Sequence, residues 1–108
     1  MKTKYCDFSP KQIELYKKKM HSSIIKLLYF KEENNPTLQE YFETVLWELG
    51  GFNSLTGFQV IMIEIISNIE EARRENLKGK QLNFKKYRKL ILDSMSLVDK
   101  LFMEFENK

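Results

Sequence analysis

Glutamates at helical spacing come nearest to a catalytic or metal-binding motif in this sequence. Glu40 and Glu43 stand three residues apart, which places both carboxylates on one face of a helix. Glu64, Asn68 and Glu71 form a second polar stripe with steps of four and three residues. Carboxylate and amide oxygens bind Mg²⁺ and Ca²⁺, but a site needs several of them to converge. Each set alone is typical of a solvated helix face, so we predict no metal site.

The chain contains a single histidine, His21, and a single cysteine, Cys6. Di-iron helical bundles need two Glu-x-x-His helices, which one histidine cannot supply. A Cys–His nucleophile needs a third, orienting group, and Cys6 precedes the first predicted helix. One cysteine forms no internal disulfide, which favours a reducing, cytoplasmic location. Because no glycine-rich phosphate loop occurs either, we predict that the protein is not an enzyme and holds no cofactor.

All of the excess positive charge lies in one segment, KGKQLNFKKYRK, from residue 78 to residue 89. This segment has six cations and no acid, whereas the rest of the chain has 12 basic and 15 acidic residues. It covers the predicted start of a helix, where the backbone dipole disfavours positive charge. The segment is therefore a candidate anion-binding site for phosphate or nucleic acid, formed by Lys78, Lys80, Lys85, Lys86, Arg88 and Lys89.

Two considerations weigh against an anion-binding role for this basic segment. Phe84 and Tyr87 fall on the apolar period of their helix, so we expect both rings to be buried and unable to stack on bases. The alternative role of the cations is to pair with acidic residues at the same end of the molecule, which are Glu32, Glu33, Glu70, Glu71 and Glu75.

Capping residues begin the first and the last predicted helix. Ser9, Pro10 and Gln12 form a capping box with proline at the first helical position. Apolar residues then recur at steps of three and four as far as residue 32, and polar residues before Pro36 interrupt them. Asn83 is the corresponding cap of the last helix, whose apolar period continues to its end. These signals predict helices over residues 10–32 and 83–106.

Similar signals delimit the two middle helices. Thr37 and Thr56 each stand three residues before a Glu or Gln, which predicts two further capping boxes. Gly50-Gly51 predicts the end of the second helix, because glycine readily adopts the left-handed conformation common there. Residues 60–66 are rich in β-branched side chains and a strand is the alternative, but the length and period of the pattern favour a helix. The predicted helices cover residues 37–50 and 56–76.

Four long helices with short connections predict an all-α, up-down-up-down four-helix bundle. A length of 108 residues is enough for one domain, with residues 1–9 as an amino-terminal tail. Only four glycines and two prolines occur, too few for the turns of a β-sandwich, and no apolar run is long enough to span a membrane. The first half of the third helix is apolar almost all round, which predicts the most buried helix of the four. The alternative is a pair of helical hairpins that pack with a second chain.

Several large apolar residues lie on the sides of their helices that face away from the predicted core. Trp47 lies about 200° around the helix from Val45, among glutamates and a threonine. Exposed tryptophans commonly anchor protein interfaces, although the amino-terminal tail with Tyr5 and Phe8 is an alternative cover. Together with Trp47, the residues of the predicted interface are Leu15, Ile25, Tyr29, Val60 and Ile63.

These observations predict a small helical protein that acts by protein–protein interaction, in the manner of an adaptor, an inhibitor or an immunity-type binding protein. More apolar surface is present than the interior of one small bundle accommodates, so we predict a homodimer. The alternative function is binding of nucleic acid or phosphate through the basic segment, residues 78–89. No motif assigns the chain to a family.

Overall fold

Four α-helices contain most of the residues that the computed structural model describes, which are residues 9–56 and 59–106. In chain order they are α1 (Pro10–Glu32), α2 (Leu38–Leu55), α3 (Val60–Asn76) and α4 (Phe84–Glu106), with a single 3-10 turn at Gly79–Gln81. No strand occurs among the described residues. The predicted all-α class is confirmed, and the strand considered for residues 60–66 does not form.

Aromatic contacts show that α1 and α2 pack antiparallel. The ring centroids of Tyr16 and Phe52 are 5.3 Å apart, and those of Phe30 and Tyr41 are 5.0 Å apart. The beginning of α1 therefore lies beside the end of α2, and the end of α1 lies beside the beginning of α2.

Polar contacts show the same relation between α1 and α4. The Tyr87 hydroxyl donates a 2.6 Å hydrogen bond to the carbonyl oxygen of Leu27, and His21 Nε2 lies 2.8 Å from Asp99 Oδ1. Because each helix also packs against its neighbour in the chain, the four helices form a closed ring in the order α1, α2, α3, α4. This arrangement is the predicted up-down-up-down bundle.

The core is formed by one face of each helix. Phe42 and Tyr87, both fully buried, meet edge to face with ring centroids 6.1 Å apart. Ile24, Ile65 and Phe102 are also fully buried, each from a different helix. Burial of such side chains is the main favourable contribution to folding, at about 1.5 to 3 kcal/mol for each large apolar residue.

The second helix does not end at Gly50-Gly51 as predicted, but continues to Leu55. The added residues include Phe52, which is buried and whose ring lies 5.8 Å from that of Phe102. A glycine inside a helix costs about 1 kcal/mol relative to alanine, and burial of a phenylalanine offsets that cost. Tertiary packing therefore overrides the local helix-ending signal.

Two of the predicted capping boxes are absent. α2 begins at Leu38, and Asn35 Oδ1 instead accepts hydrogen bonds from the backbone N–H and the hydroxyl of Thr37, at 2.9 and 2.7 Å. Thr56 closes α2, since its hydroxyl donates to the carbonyl oxygen of Phe52. α3 then begins at Val60 rather than at residue 56. The predicted caps at Ser9 and Asn83 do form.

The start of α3 is not buried all round, contrary to prediction. Val60 and Ile63 are exposed, as are Glu64 and Ser67 farther along the same side of α3. One face of α3 does lie in the core, where Met62, Ile65 and Ile69 are fully buried. Apolar residues surround the start of α3, but those on its outer side are exposed to solvent rather than buried.

Candidate functional site

Trp47 is the most exposed large apolar residue in the described part of the chain, with 81% of its surface accessible. Val60 follows at 71%, and Leu15, Tyr29 and Ile63 are also more than half exposed. Ile25, which was predicted to face outward, is half-buried and packs against the core. Five of the six residues predicted to form an interface are thus exposed to solvent.

These exposed residues are distributed over three helices. Leu15 and Tyr29 belong to α1, Trp47 to α2, and Val60 and Ile63 to α3. Each lies away from the buried face of its own helix. A candidate binding site is therefore identified from the grooves and charged groups beside each exposed residue.

A groove of about 250 Å³ between α1 and α2 has Trp47 on its wall. Its other walls are mostly apolar, and they include Met20, Leu49 and Phe52. Gly51 also lines the groove, and a Cβ atom at this glycine would meet nothing within 4 Å. The groove therefore combines an exposed aromatic side chain with open space beside it.

The polar residues of this groove lie at the border between α1 and α2. Ser23 Oγ donates to Glu48 Oε2 over 3.4 Å, which joins the two helices. Burial raises the pKa of the nearby Tyr41 phenol, and the charge of Glu48 adds to that effect, whereas a hydrogen bond with Ser23 opposes it. Lys19 completes the polar part of the wall.

The two helices beside the groove carry opposite charge. α1 contains six lysines and two glutamates, whereas α2 contains three glutamates and no lysine or arginine. Lys19, Lys26, Glu40 and Glu43 are exposed, and none of them forms an ion pair with another described residue.

Half of the basic segment is paired with acidic residues. Lys78 Nζ lies 2.9 Å from Glu75 Oε2, and Lys86 Nζ lies 3.2 Å from Glu71 and 3.7 Å from Glu75. Lys89 lies 3.5 Å from Asp93. The predicted neutralisation is thus observed for Glu71 and Glu75.

The other half of the basic segment has no such partner. Lys80, Lys85 and Arg88 are exposed and form no ion pair within residues 9–56 and 59–106. Two of the predicted neutralising residues, Glu32 and Glu33, form none there either, and Glu70 pairs with Arg73. Phe84 was predicted to be buried but is 41% exposed, because it occupies the first turn of α4 at the edge of the core.

Glu75 is a structurally important residue that the sequence pattern placed only among the neutralising acids. Its side chain is 2% exposed, and Oε1 accepts a 2.8 Å hydrogen bond from the backbone N–H of Asn83. This bond, a hydrogen bond from Lys78 and the charges of Lys78 and Lys86 lower the pKa of Glu75, and burial opposes them. Lys78 and Lys86 therefore help hold the connection between α3 and α4.

The residues considered for catalysis or metal binding do not converge. Glu40 and Glu43 are exposed on α2, whereas Glu64 and Glu71 are exposed on α3. Within the described ranges, no three histidine, cysteine, aspartate or glutamate side chains are grouped as metal ligands. Cys6 lies outside the described residues, and so do Tyr5 and Phe8 of the predicted cover for Trp47.

Comparison with known proteins adds no family. No protein-family model matches the sequence, and no curated protein or solved structure is significantly similar to it. None of the helices in the described part is long and apolar enough to cross a bilayer.

Proposed function

We propose that the protein acts by protein–protein interaction through the surface around Trp47, and that it binds a second copy of itself. The observation that carries this proposal is an exposed tryptophan on the wall of an apolar groove. Tryptophan is among the residues most enriched in the energetic centres of protein interfaces. Burial of its ring removes a large apolar surface from water, at about 25 cal/mol per Å².

A binding role of this kind is that of a small adaptor, inhibitor or immunity-type protein. Its action requires a rigid surface rather than a reacting group. The position of Trp47 is fixed because Val45 and Leu49, on the opposite face of α2, are buried in the core.

Light scattering of the parent protein and of Trp47→Glu tests the proposal. The parent should have twice the chain mass of 13.0 kDa at high micromolar concentration, and the variant should shift toward the single-chain mass. Met103→Glu is the control, since Met103 is exposed on α4 and should leave the dimer intact. A parent mass of 13.0 kDa at that concentration would reject self-association.

A second candidate function is phosphate or nucleic-acid binding by the basic segment. The observation that favours it is the set of three exposed cations without an ion pair in the described structure, which are Lys80, Lys85 and Arg88. Exposure of Phe84 also places one aromatic ring beside them. Against it, the other three cations already contact carboxylates.

Filter binding at physiological salt distinguishes this second function. We expect affinity no tighter than roughly micromolar, the ordinary range of non-specific binding. Lys85→Glu with Arg88→Glu should then reduce what binding remains, because each phosphate contact releases counterions. Nanomolar, sequence-dependent affinity would instead make nucleic-acid recognition the leading function.

A further inference from the structure

The charges of α1 and α2 place a positive strip beside a negative strip on one side of the bundle. Lys19 lines the groove from α1 and Glu48 lines it from α2. Helical spacing places the exposed Lys26 on the same stripe of α1 as Lys19, about two turns farther along, and places the exposed Glu40 about two turns before Glu48 on α2. The groove runs between the two strips, with Lys19 on one wall and Glu48 on the other. A surface that binds this side of the molecule would therefore need negative charge opposite α1 and positive charge opposite α2.

Two symmetric ways exist to place this side of one copy against the same side of another. If the two-fold axis is perpendicular to the helices, α1 faces α1 and α2 faces α2, so like charges are opposed. If the axis is parallel to the helices, α1 faces α2 of the other copy, and opposite charges meet twice. Opposition of like charges across an interface is unfavourable, and complementary charges fix its register.

We infer that the protein forms a symmetric dimer in which α1 of each copy packs against α2 of the other, with the two-fold axis parallel to the helices. This inference rests on the self-association proposed above and specifies its geometry. The molecule that binds at the groove is then a second copy of this chain.

The shapes of the two strips agree with this arrangement. An axis parallel to the helices preserves height along the bundle, and the contact of Ser23 with Glu48 shows which parts of α1 and α2 are level. Trp47 then meets the small side chains of Ser22 and Ser23 in the second copy. Leu15 then lies level with Leu55 at the end of α2 in the second copy.

The charges are brought within reach in the same register. Measured along the bundle from the level of the Ser23–Glu48 contact, Lys26 of one copy lies about 4.5 Å from Glu48 and about 7.5 Å from Glu40 of the other copy, and Lys19 lies about 6 Å from Glu48. A lysine side chain is long enough to reach a carboxylate over these offsets. The lysine stems also flank the Trp47 ring, where a cation over the ring face is favourable. Each contact occurs twice because of the symmetry.

The size of this side of the bundle is sufficient for a stable interface. The molecule measures 45 × 20 × 19 Å, so one long side presents about 900 Å². A standard protein–protein interface buries about 800 Å² on each partner. The second copy can therefore be held without a contribution from another side of the bundle.

Charge-reversed variants test the geometry. One variant carries Lys19→Glu and Lys26→Glu, and the other carries Glu40→Lys and Glu48→Lys. Light scattering should show each alone near 13.0 kDa, because α1 and α2 of the paired copies then carry the same charge. An equimolar mixture should return to twice that mass, since each strip again meets its opposite. A single chain with all four substitutions should dimerise like the parent.

A matched control and circular dichroism separate loss of the interface from loss of the fold. Lys89→Glu with Lys100→Glu makes the same charge change on exposed residues of α4 and should leave the dimer unchanged. All variants should keep the helical signal of the parent.

The possible results distinguish this dimer geometry from the proposed self-association on which it rests. A parent dimer whose two charge-reversed variants also dimerise overturns the geometry and leaves self-association standing. Variants that stay monomeric when mixed overturn the geometry as well. A parent that is monomeric at high micromolar concentration overturns both.

Discussion

Glu75 combines near-complete burial with three polar contacts, and its charge is therefore coupled to the stability of the fold. Its pKa is lowered in the folded protein, chiefly by the hydrogen bond from the Asn83 backbone. A carboxyl group with a lowered folded pKa contributes stability that is fully present above its ordinary value of 4.5 and is lost as the pH falls through the folded value.

Glu75→Gln should therefore lower the free energy of unfolding at neutral pH and reduce its dependence on pH in the acid range. Glutamine can still accept from Asn83 but cannot pair with Lys78 or Lys86. Urea unfolding between pH 3 and pH 7 measures both effects. Glu64→Gln is the control because Glu64 is exposed and forms no ion pair among the described residues. Equal pH profiles for the parent and Glu75→Gln would contradict the role assigned to this carboxylate.

Tyr87→Phe should destabilise the protein by about 1 kcal/mol, the ordinary net contribution of one buried hydrogen bond. The phenol is fully buried and donates over 2.6 Å to the Leu27 carbonyl oxygen. That carbonyl group lies inside α1, where a helical N–H four residues later also bonds to it, which limits the loss. Urea unfolding measures the change, with Tyr29→Phe as the exposed control. An unchanged midpoint for Tyr87→Phe would mean that the bond contributes nothing.

Among individual residues, the sequence predicted the exposure of Trp47 but not the burial of Glu75. Trp47 was identified because its angle around the helix depends only on local spacing, and the structure exposes it. Burial of Glu75 depends on the Asn83 N–H, eight residues away in a connection whose path no local pattern specifies. Phe84 was misplaced for a related reason, since apolar period does not reveal where a helix passes the edge of the core.

Among the elements, α2 is the one whose sequence conflicts most with its structure. Gly50 and Gly51 lie inside the helix without a positive φ, and a Cβ at either would meet nothing within 4 Å. Gly50→Ala should therefore raise the free energy of unfolding by about 0.5 to 1 kcal/mol, because alanine restricts the unfolded chain. Thermal or urea unfolding measures this. A loss of stability would show that the helical backbone is strained at Gly50.

Gly79→Ala provides the opposite case in the same protein. Gly79 has φ of 60° in the 3-10 turn before α4, a conformation that alanine adopts at a cost of about 1 to 2 kcal/mol. The same unfolding measurement should show destabilisation. If Gly50→Ala and Gly79→Ala changed stability in the same direction, backbone conformation would not be the cause.

Amide hydrogen exchange should be slower in the middle of α4 than in the first turn of α3, the helix that was predicted to be the most buried. Tyr87, Ile91 and Val98 in α4 are fully buried, whereas Val60 and Ile63 in the first turn of α3 are exposed. Few buried contacts around an amide permit local opening. Faster exchange in the middle of α4 than at the start of α3 would contradict this assignment.

The sequence therefore predicted the number, type and approximate extent of the elements, and failed where distant packing decides. The spacing of apolar residues and the helix caps at Ser9 and Asn83 are local signals, and the structure confirms them. The end of α2 and the start of α3 depend on Phe52 reaching the core, which is a tertiary effect. The groove beside Trp47 was not predicted, because it is formed by two helices together.

For the whole molecule, self-association implies that thermal stability depends on protein concentration. Binding between folded copies stabilises the folded state by mass action, so the Tm of the parent should rise with concentration. Trp47→Glu should have a Tm that is independent of concentration. Calorimetry over a hundredfold range of concentration measures both. A parent Tm that does not change would contradict a dimer of folded chains.

The contacts of Glu75 also have a consequence for the order in which the chain folds. They join residues only a few positions apart, whereas the hydrogen bond of Tyr87 joins residues separated by 60 positions. Contacts with short loops form at a lower entropic cost, so the α3–α4 hairpin is expected to assemble before α1 docks. Loss of the Glu75 contacts should then slow folding, and loss of the Tyr87 hydroxyl should mainly speed unfolding.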